Sequence, residues 1–443
     1  MWENRQANLA RRLDKFSTKK VTMSESSEIV ITGVGVVSPI GVGVEPFWKS
    51  LLEGVSGIRP YSLLQGTEMP VRFGGEVVDF DAKKYVTPRK SLKVMSREIQ
   101  MGFAAAAMAA ETAGIENGTI DPDRFGVVYG SEMLYGPPDE LAEVMRGCKV
   151  DGVVDPSLWS EQAAKKNFPL WMLKYLPNMT ACHVGIAFDA RGPSNSITHG
   201  DVSSLLAIFE ATHAILRGRA DVMIAGGFGA KLSVTQLQYR SDANLSHRND
   251  DPTAASRPFD ADRDGMVNGD GAGAIVIERR EHAERRGAKV LAAIRGMGES
   301  FEARLTPKPV TGIAIRRSIV QSLDKAGMSP ESIGYVSAYG ASTIVDDPLE
   351  AQAIRECLGD VPVTGLKSYF GNIGSGGGAV ETVANVLALQ NNAVPHTLNF
   401  GTPDPACPVN VIQGEPLVGA APIAMVLSQA GPGQAAALIL SRD

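Results

Sequence analysis

From residue 28 onward, short unbroken apolar runs alternate with amphipathic stretches. Residues 29–37 (IVITGVGVV) are apolar on both faces and run into a glycine turn, the pattern of a strand covered on both sides. Similar runs at 125–130, 220–227, 273–277, 291–295 and 335–338 predict further buried strands. Between them, helical periodicity predicts helices over 48–52, 101–113, 202–216, 313–326 and 379–390. Residues 423–427 and 435–440 read as a closing antiparallel pair. Strands alternating with helices predict a layered α/β protein. The stretches before and after residue 275 share this rhythm without a sequence repeat.

Two regions break the pattern. Residues 134–178 carry Pro137, Pro138, Pro156, Pro169 and Pro177 among Trp159, Trp171, Met172 and Tyr175. An irregular segment of this kind reads as a cover or an interface. In residues 1–27, Arg5, Arg11, Arg12, Lys15, Lys19 and Lys20 face only Glu3 and Asp14, while Leu9, Leu13 and Phe16 could share a helix face. This reads as a flexible basic extension; the alternative is an arm that touches a partner. The expected organisation is therefore 1–27 as extension, 28–275 as a first half with its insertion, and 276–443 as a second half.

Composition narrows the classes. The chain has 443 residues, 44% hydrophobic and 21% charged, with net charge −6, which gives no sign of nucleic-acid binding. No apolar run is long enough to span a bilayer, and the start lacks the apolar core of a secretory signal. Cys148, Cys182, Cys357 and Cys407 are scattered and form no metal or disulfide spacing. A reducing cytoplasm is the simplest location.

Several ordered motifs carry a resemblance. They are residues 31–41 (ITGVGVVSPIG), 56–59 (SGIR), 256–260 (SRPFD), 263–267 (RDGMV), 269–273 (GDGAG), 347–351 (DPLEA) and Lys367-Ser368. Over residues 28–441 the chain resembles the β-ketoacyl-ACP synthases of the thiolase superfamily. The resemblance implies a five-layer αβαβα fold of two similar halves and an obligate dimer. It also implies a tunnel for an acyl chain delivered as a thioester by acyl carrier protein, with no cofactor.

The reactive residues are replaced. Asp201 stands where the family has its nucleophilic cysteine, and Tyr339 and Asn372 stand in place of its two histidines. A thiol suits acyl capture because it ionises readily at a helix N-terminus. A carboxylate there is a good helix cap but a poor nucleophile, so Asp201 is expected to cap the helix that follows. Tyr339 and Asn372 either fill space or form a modest oxyanion site. Lys367 and Glu350 match family positions and are expected to form a structural ion pair beneath the site. Gly431 and Gly433 survive from the family's C-terminal glycine loop, where Pro432 offers no amide. Residues 374–378 (GSGGG) lack the lysine of a phosphate loop and read as close packing. Cys182 is expected to be a packed core thiol, and His199 a turn residue. Arg89, Lys90, Lys93 and Arg97 are either a docking surface for acyl carrier protein or a solvated face.

Three functions stay open. The first is a chain-length-factor-type subunit, which pairs with an active ketosynthase. The second is a homodimeric enzyme of altered chemistry on acyl or malonyl thioesters, with Asp201 as base. The third is a non-catalytic protein that binds acyl carriers or acyl thioesters.

Overall fold

The computed structural model describes residues 28–443 except 117, 138, 240–242, 303–309 and 432; the basic extension 1–27 lies outside the described residues. Eleven strands form the path of one long sheet: β1 (Ile29–Ser38), β2 (Phe125–Gly130), β3 (Ser194–Ile197), β4 (Val222–Ala230), β5 (Asp270–Arg279), β6 (Ala292–Phe301), β7 (Tyr335–Ser337), β8 (Pro362–Thr364), β9 (Asn410–Val411), β10 (Ile423–Ala430) and β11 (Gln434–Ser441). Their spatial order is β9-β8-β7-β10-β11-β6-β1-β5-β4-β2-β3. The principal helices are α1 (Arg97–Thr112), α2 (Met179–Phe188), α3 (Ser203–Leu216), α4 (Ile313–Ala326), α5 (Asp346–Leu358) and α6 (Gly377–Asn391).

The path divides where β1 meets β6, which pair antiparallel only from Ile29↔Ile294 to Ile31↔Ala292. On either side the pairing repeats. In the first half β3, β2 and β4 are parallel, while β5 and β1 are antiparallel. In the second half β8, β7 and β10 are parallel, while β11 and β6 are antiparallel. Helices α3 and α6 lie between the two half-sheets, α1 and α2 cover the first, and α4 and α5 cover the second. This is the expected five-layer, two-half α/β architecture. β5 spans the expected boundary near residue 275 and pairs with β1 and β4.

Local sequence explains the packing. β1 is buried throughout, and a Cβ at Gly33 or Gly35 would lie 2.1 Å from a carbonyl oxygen of Ala109 or Ala105. Glycine in the strand and alanine in α1 let helix and sheet approach closely. α6 is buried from Gly377 through Leu389, as a helix between two sheets must be. Residues 134–178 hold two short helices, Ala142–Gly147 and Trp159–Lys166, and leave Val153, Leu170 and Met172 exposed.

This arrangement gathers the carboxyl ends of β2, β4 and β7 around the start of α3. Open α/β sheets place their ligands at such ends.

Candidate active site

Asp201 lies in the turn before α3, after Gly200 at φ +63°. The expectation that it caps this helix is corrected. The cap residue is Val202, without a side-chain bond, and Ser203 Oγ instead accepts from the His199 amide and donates to the Gly200 carbonyl. The Asp201 carboxylate turns away because stronger donors reach it. Lys231 Nζ lies 2.9 Å from both its oxygens, and Tyr339 Oη and Asn372 Nδ2 donate at 2.7 Å each. Charge-assisted bonds outweigh a capping bond.

Each donor is fixed by its own element. Lys231 directly follows β4. Tyr339 follows β7, and its amide and that of Gly340 donate to the Glu350 carboxylate on α5 at 2.7 and 2.9 Å. Asn372 follows the helical turn Lys367–Phe370; its amide donates to Val267 and its Oδ1 accepts from the Gly374 amide. The Lys231 and Asp201 side chains are only 6% and 13% exposed. Burial pushes the Asp201 carboxyl up, but Lys231, Asn372 and Tyr339 outweigh it and hold it down at about 2. Burial and the neighbouring Asp201 charge push the Tyr339 phenol well above its ordinary range. Asp201 is therefore an ionised acceptor, and Tyr339 a neutral donor, across physiological pH. A carboxylate so fully bonded is a weak nucleophile and a weak base. Tyr339 spends its one donor on it, and Asn372 Nδ2 divides between it and the Met266 sulfur, 2.7 Å from each, rather than forming an oxyanion hole.

A second tier lies behind the first. Lys367 Nζ sits 4.2 Å from the Tyr339 ring centroid and bonds Glu381 Oε1 at 2.5 Å. The expected Lys367–Glu350 pair is thus corrected. Glu381, on the helix that follows Lys367, takes the ammonium, while Glu350 accepts the two backbone amides. Burial pushes Glu381 up to about 7 against the pull of Lys367. Burial also raises Glu350.

Lys231, Glu381 and Glu132 were missed from sequence. Glu132 is buried just beyond β2. A Cβ on Gly374, at φ +68°, would lie 2.8 Å from Lys231 Cε and 3.0 Å from a Glu132 oxygen. The glycine stretch is therefore packing, as expected: only glycine leaves room for both side chains.

The remaining candidates fall at or outside the rim. Gly433, at φ +102°, closes the β10–β11 hairpin by donating to Ala430, and its carbonyl accepts from Glu302. A Cβ there would meet the Glu302 carbonyl oxygen at 2.2 Å, whereas Gly431 faces open space. The hairpin borders a small open cleft lined in part by Tyr339, Asp346, Leu349 and Gln429. Tyr339 both lines this cleft and bonds Asp201. His199 meets Gln434 at 3.1 Å rather than Asp201. Cys182 is corrected from core thiol to a partly exposed residue on α2, contacted by the Asn178 amide. Arg89, Lys90 and Lys93 are exposed on the 3₁₀ turn Arg89–Val94. Arg97 is exposed as well but makes contacts of its own: its guanidinium donates to the Val77 carbonyl and lies 5.8 Å over the Phe80 ring.

Among the described residues no group of three or more His, Cys, Asp or Glu is placed to hold a metal ion, and no helix is long and apolar enough to cross a membrane.

Comparison with known proteins fits this geometry to a family. The family model for the β-ketoacyl synthase N-terminal domain matches residues 26–283, and that for the C-terminal domain residues 291–401. The chain is 33% identical over 400 residues to 3-oxoacyl-(acyl-carrier-protein) synthase 2 of Synechocystis sp., covering 88% of this chain and 92% of that protein. It is 35% identical over 399 residues to the protein of the same name from Coxiella burnetii, covering 88% and 92%. Two solved structures are similar over 94% of this chain and 99% of theirs. One is a type II PKS acyl-carrier protein in complex with its ketosynthase bound to the hexaketide, with TM-score 0.79 and 29% identity. The other is the ishigamide ketosynthase/chain length factor, with TM-score 0.81 and 26% identity.

Proposed function

The chain belongs to the β-ketoacyl synthase family, and from that premise we propose that it is a non-condensing subunit of fatty-acid or polyketide synthesis, of the chain-length-factor type, paired with an active synthase. One observation carries the reading: the nucleophile position holds a carboxylate locked by Lys231, Tyr339 and Asn372.

Condensation needs a group that accepts an acyl chain and donors free to hold the charge formed when a malonyl unit loses carbon dioxide. Acyl capture by Asp201 would create a reactive mixed anhydride, and its low proton affinity also makes it a poor base. The donors that could replace the imidazoles are already bonded to it. The names of the synthase relatives would extend condensing activity to this chain; the residues at 201, 339 and 372 argue against that extension. Similarity to a ketosynthase/chain length factor supports a paired arrangement. The exposed Arg89, Lys90 and Lys93 offer acyl carrier protein a basic surface, and similarity to a ketosynthase in complex with its carrier supports that contact.

The test is co-expression with a cysteine-bearing synthase from the same genome, followed by co-purification and mass spectrometry with acyl-carrier thioesters. A stable pair with the acyl adduct only on the partner is expected. A covalent acyl adduct on this chain, or condensation by it alone, overturns the reading.

A further inference from the structure

The donors around Asp201 come from three separate segments, and each has its own support. Tyr339 is held through the two amide bonds to Glu350 and by the Lys367 ammonium beneath its ring. Asn372 is held by its amide on Val267 and by the Gly374 amide on its Oδ1. The Lys231 amide lies 3.3 Å from the Gly269 carbonyl, and its stem packs over Gly374. None of these supports passes through the Asp201 side chain. One ammonium, one phenol and one amide thus converge on a single point, each backed by contacts of its own besides Asp201. A set of that composition recognises a carboxylate.

We propose that Lys231, Tyr339 and Asn372 form a carboxylate receptor that this chain fills with its own Asp201. The inference rests on the reading of Asp201 as a bonded acceptor rather than a nucleophile. Lys231 is the positioning residue: its buried ammonium bonds both Asp201 oxygens, while the Glu132 carboxylate lies beside its stem over Gly374. The receptor is self-occupied, so a carboxylate carried by a thioester finds its donors taken. Shortening residue 201 removes the occupant and leaves the donors in place.

Thermal unfolding of Asp201→Ala in sodium formate, against sodium chloride at equal ionic strength, tests this. Formate is the size of the group removed. The variant is expected to melt several degrees below the parent and to recover in formate with saturation. The parent and the double variant Asp201→Ala/Lys231→Met are expected not to respond. An Asp201→Ala protein that treats formate and chloride alike overturns the inference, as does an equal response in the double variant. Should Asp201→Ala not fold in chloride, its refolding yield in each salt replaces the melting point: recovery in formate supports the receptor, failure in both overturns it. A formate-blind variant sinks the receptor and leaves the non-condensing reading standing. An acyl adduct on the parent chain sinks that reading whatever formate does.

Discussion

Two lysine–carboxylate pairs lie close together in this molecule, and their carboxyls are shifted in opposite directions. Asp201 with Lys231 and Glu381 with Lys367 are both largely buried. Yet Asp201 is held at about 2, whereas Glu381 is pushed to about 7. The number of donors separates them. Asp201 accepts from an ammonium, a phenol and an amide. Glu381 accepts from Lys367 at one oxygen, its other oxygen has no partner, and the charges of Glu350 and Asp201 oppose its ionisation. Burial acts on both in the same direction, so one lysine does not decide the charge of a buried carboxyl; the rest of its shell does.

The largest effect that can break this comparison comes from removing each lysine. Lys231→Met removes the charge that chiefly offsets the burial of Asp201, ionised in the parent, and should destabilise the protein by about 3–5 kcal/mol at pH 7. Lys367→Met should cost roughly half as much, because Glu381 can escape by taking a proton. Urea denaturation of both variants at pH 7 measures the difference. Equal losses would show that donor number does not separate the tiers.

A smaller effect lies in pH. Glu381 has a folded-state value of about 7 against an ordinary 4.5, so the stability linked to its proton is complete below 4.5 and lost as pH rises through 7. Asp347, at about 7, and Asp270, at about 8, act in the same direction, both raised chiefly by burial. Asp201 acts oppositely: its contribution is complete above 3.8 and lost as pH falls toward 2. Stability should therefore decline between pH 5 and 8. Glu381→Gln should flatten that decline by about 2 kcal/mol, while Asp201→Asn removes the Asp201 contribution to the acid limb and, by stranding the Lys231 ammonium, lowers stability across the range. Urea midpoints measured from pH 3 to 8 read both slopes, and an unchanged alkaline slope in Glu381→Gln would break the assignment.

The outer frame was more legible in the sequence than the site's wiring. Helix α4 is Ile313–Ala326 as its periodicity predicts, and the closing pair forms β10 and β11. Both carry patterns long enough to declare their period. Helix α5 escaped notice: its first turn is Asp346-Asp347-Pro348, and its buried face carries the polar Asp347 and Glu350. Motif position located Asp201, Tyr339 and Asn372, and the structure brings all three together. Their partners were not legible, because a contact across 30 or 138 positions leaves no local signal. Lys231 left one faint trace, a lone charge ending the apolar strand β4. The expected Lys367–Glu350 pair rested on matching family positions, and position alone does not show that the packing of α6 brings Glu381 to the ammonium instead.

Exposed charges set the lower end of the scale, and the basic run before α1 supplies them. Arg89, Lys90 and Lys93 stand in water, where reversing a charge typically moves stability by less than about 0.5 kcal/mol. Arg97 sits in the same run but is engaged by the Val77 carbonyl and the Phe80 ring. Arg97→Ala should therefore lower stability measurably, by about 1 kcal/mol, while the triple reversal to glutamate does not. In carrier binding the order should invert. The triple reversal should weaken association with acyl carrier protein at least tenfold at low salt, with the loss shrinking as salt is added, because exposed charges act through a screened field. Calorimetric titration of carrier protein at two salt concentrations, beside urea denaturation of the same variants, measures both. A triple reversal that binds carrier like the parent leaves these residues as a solvated face, and one that unfolds the protein removes them from the exposed class.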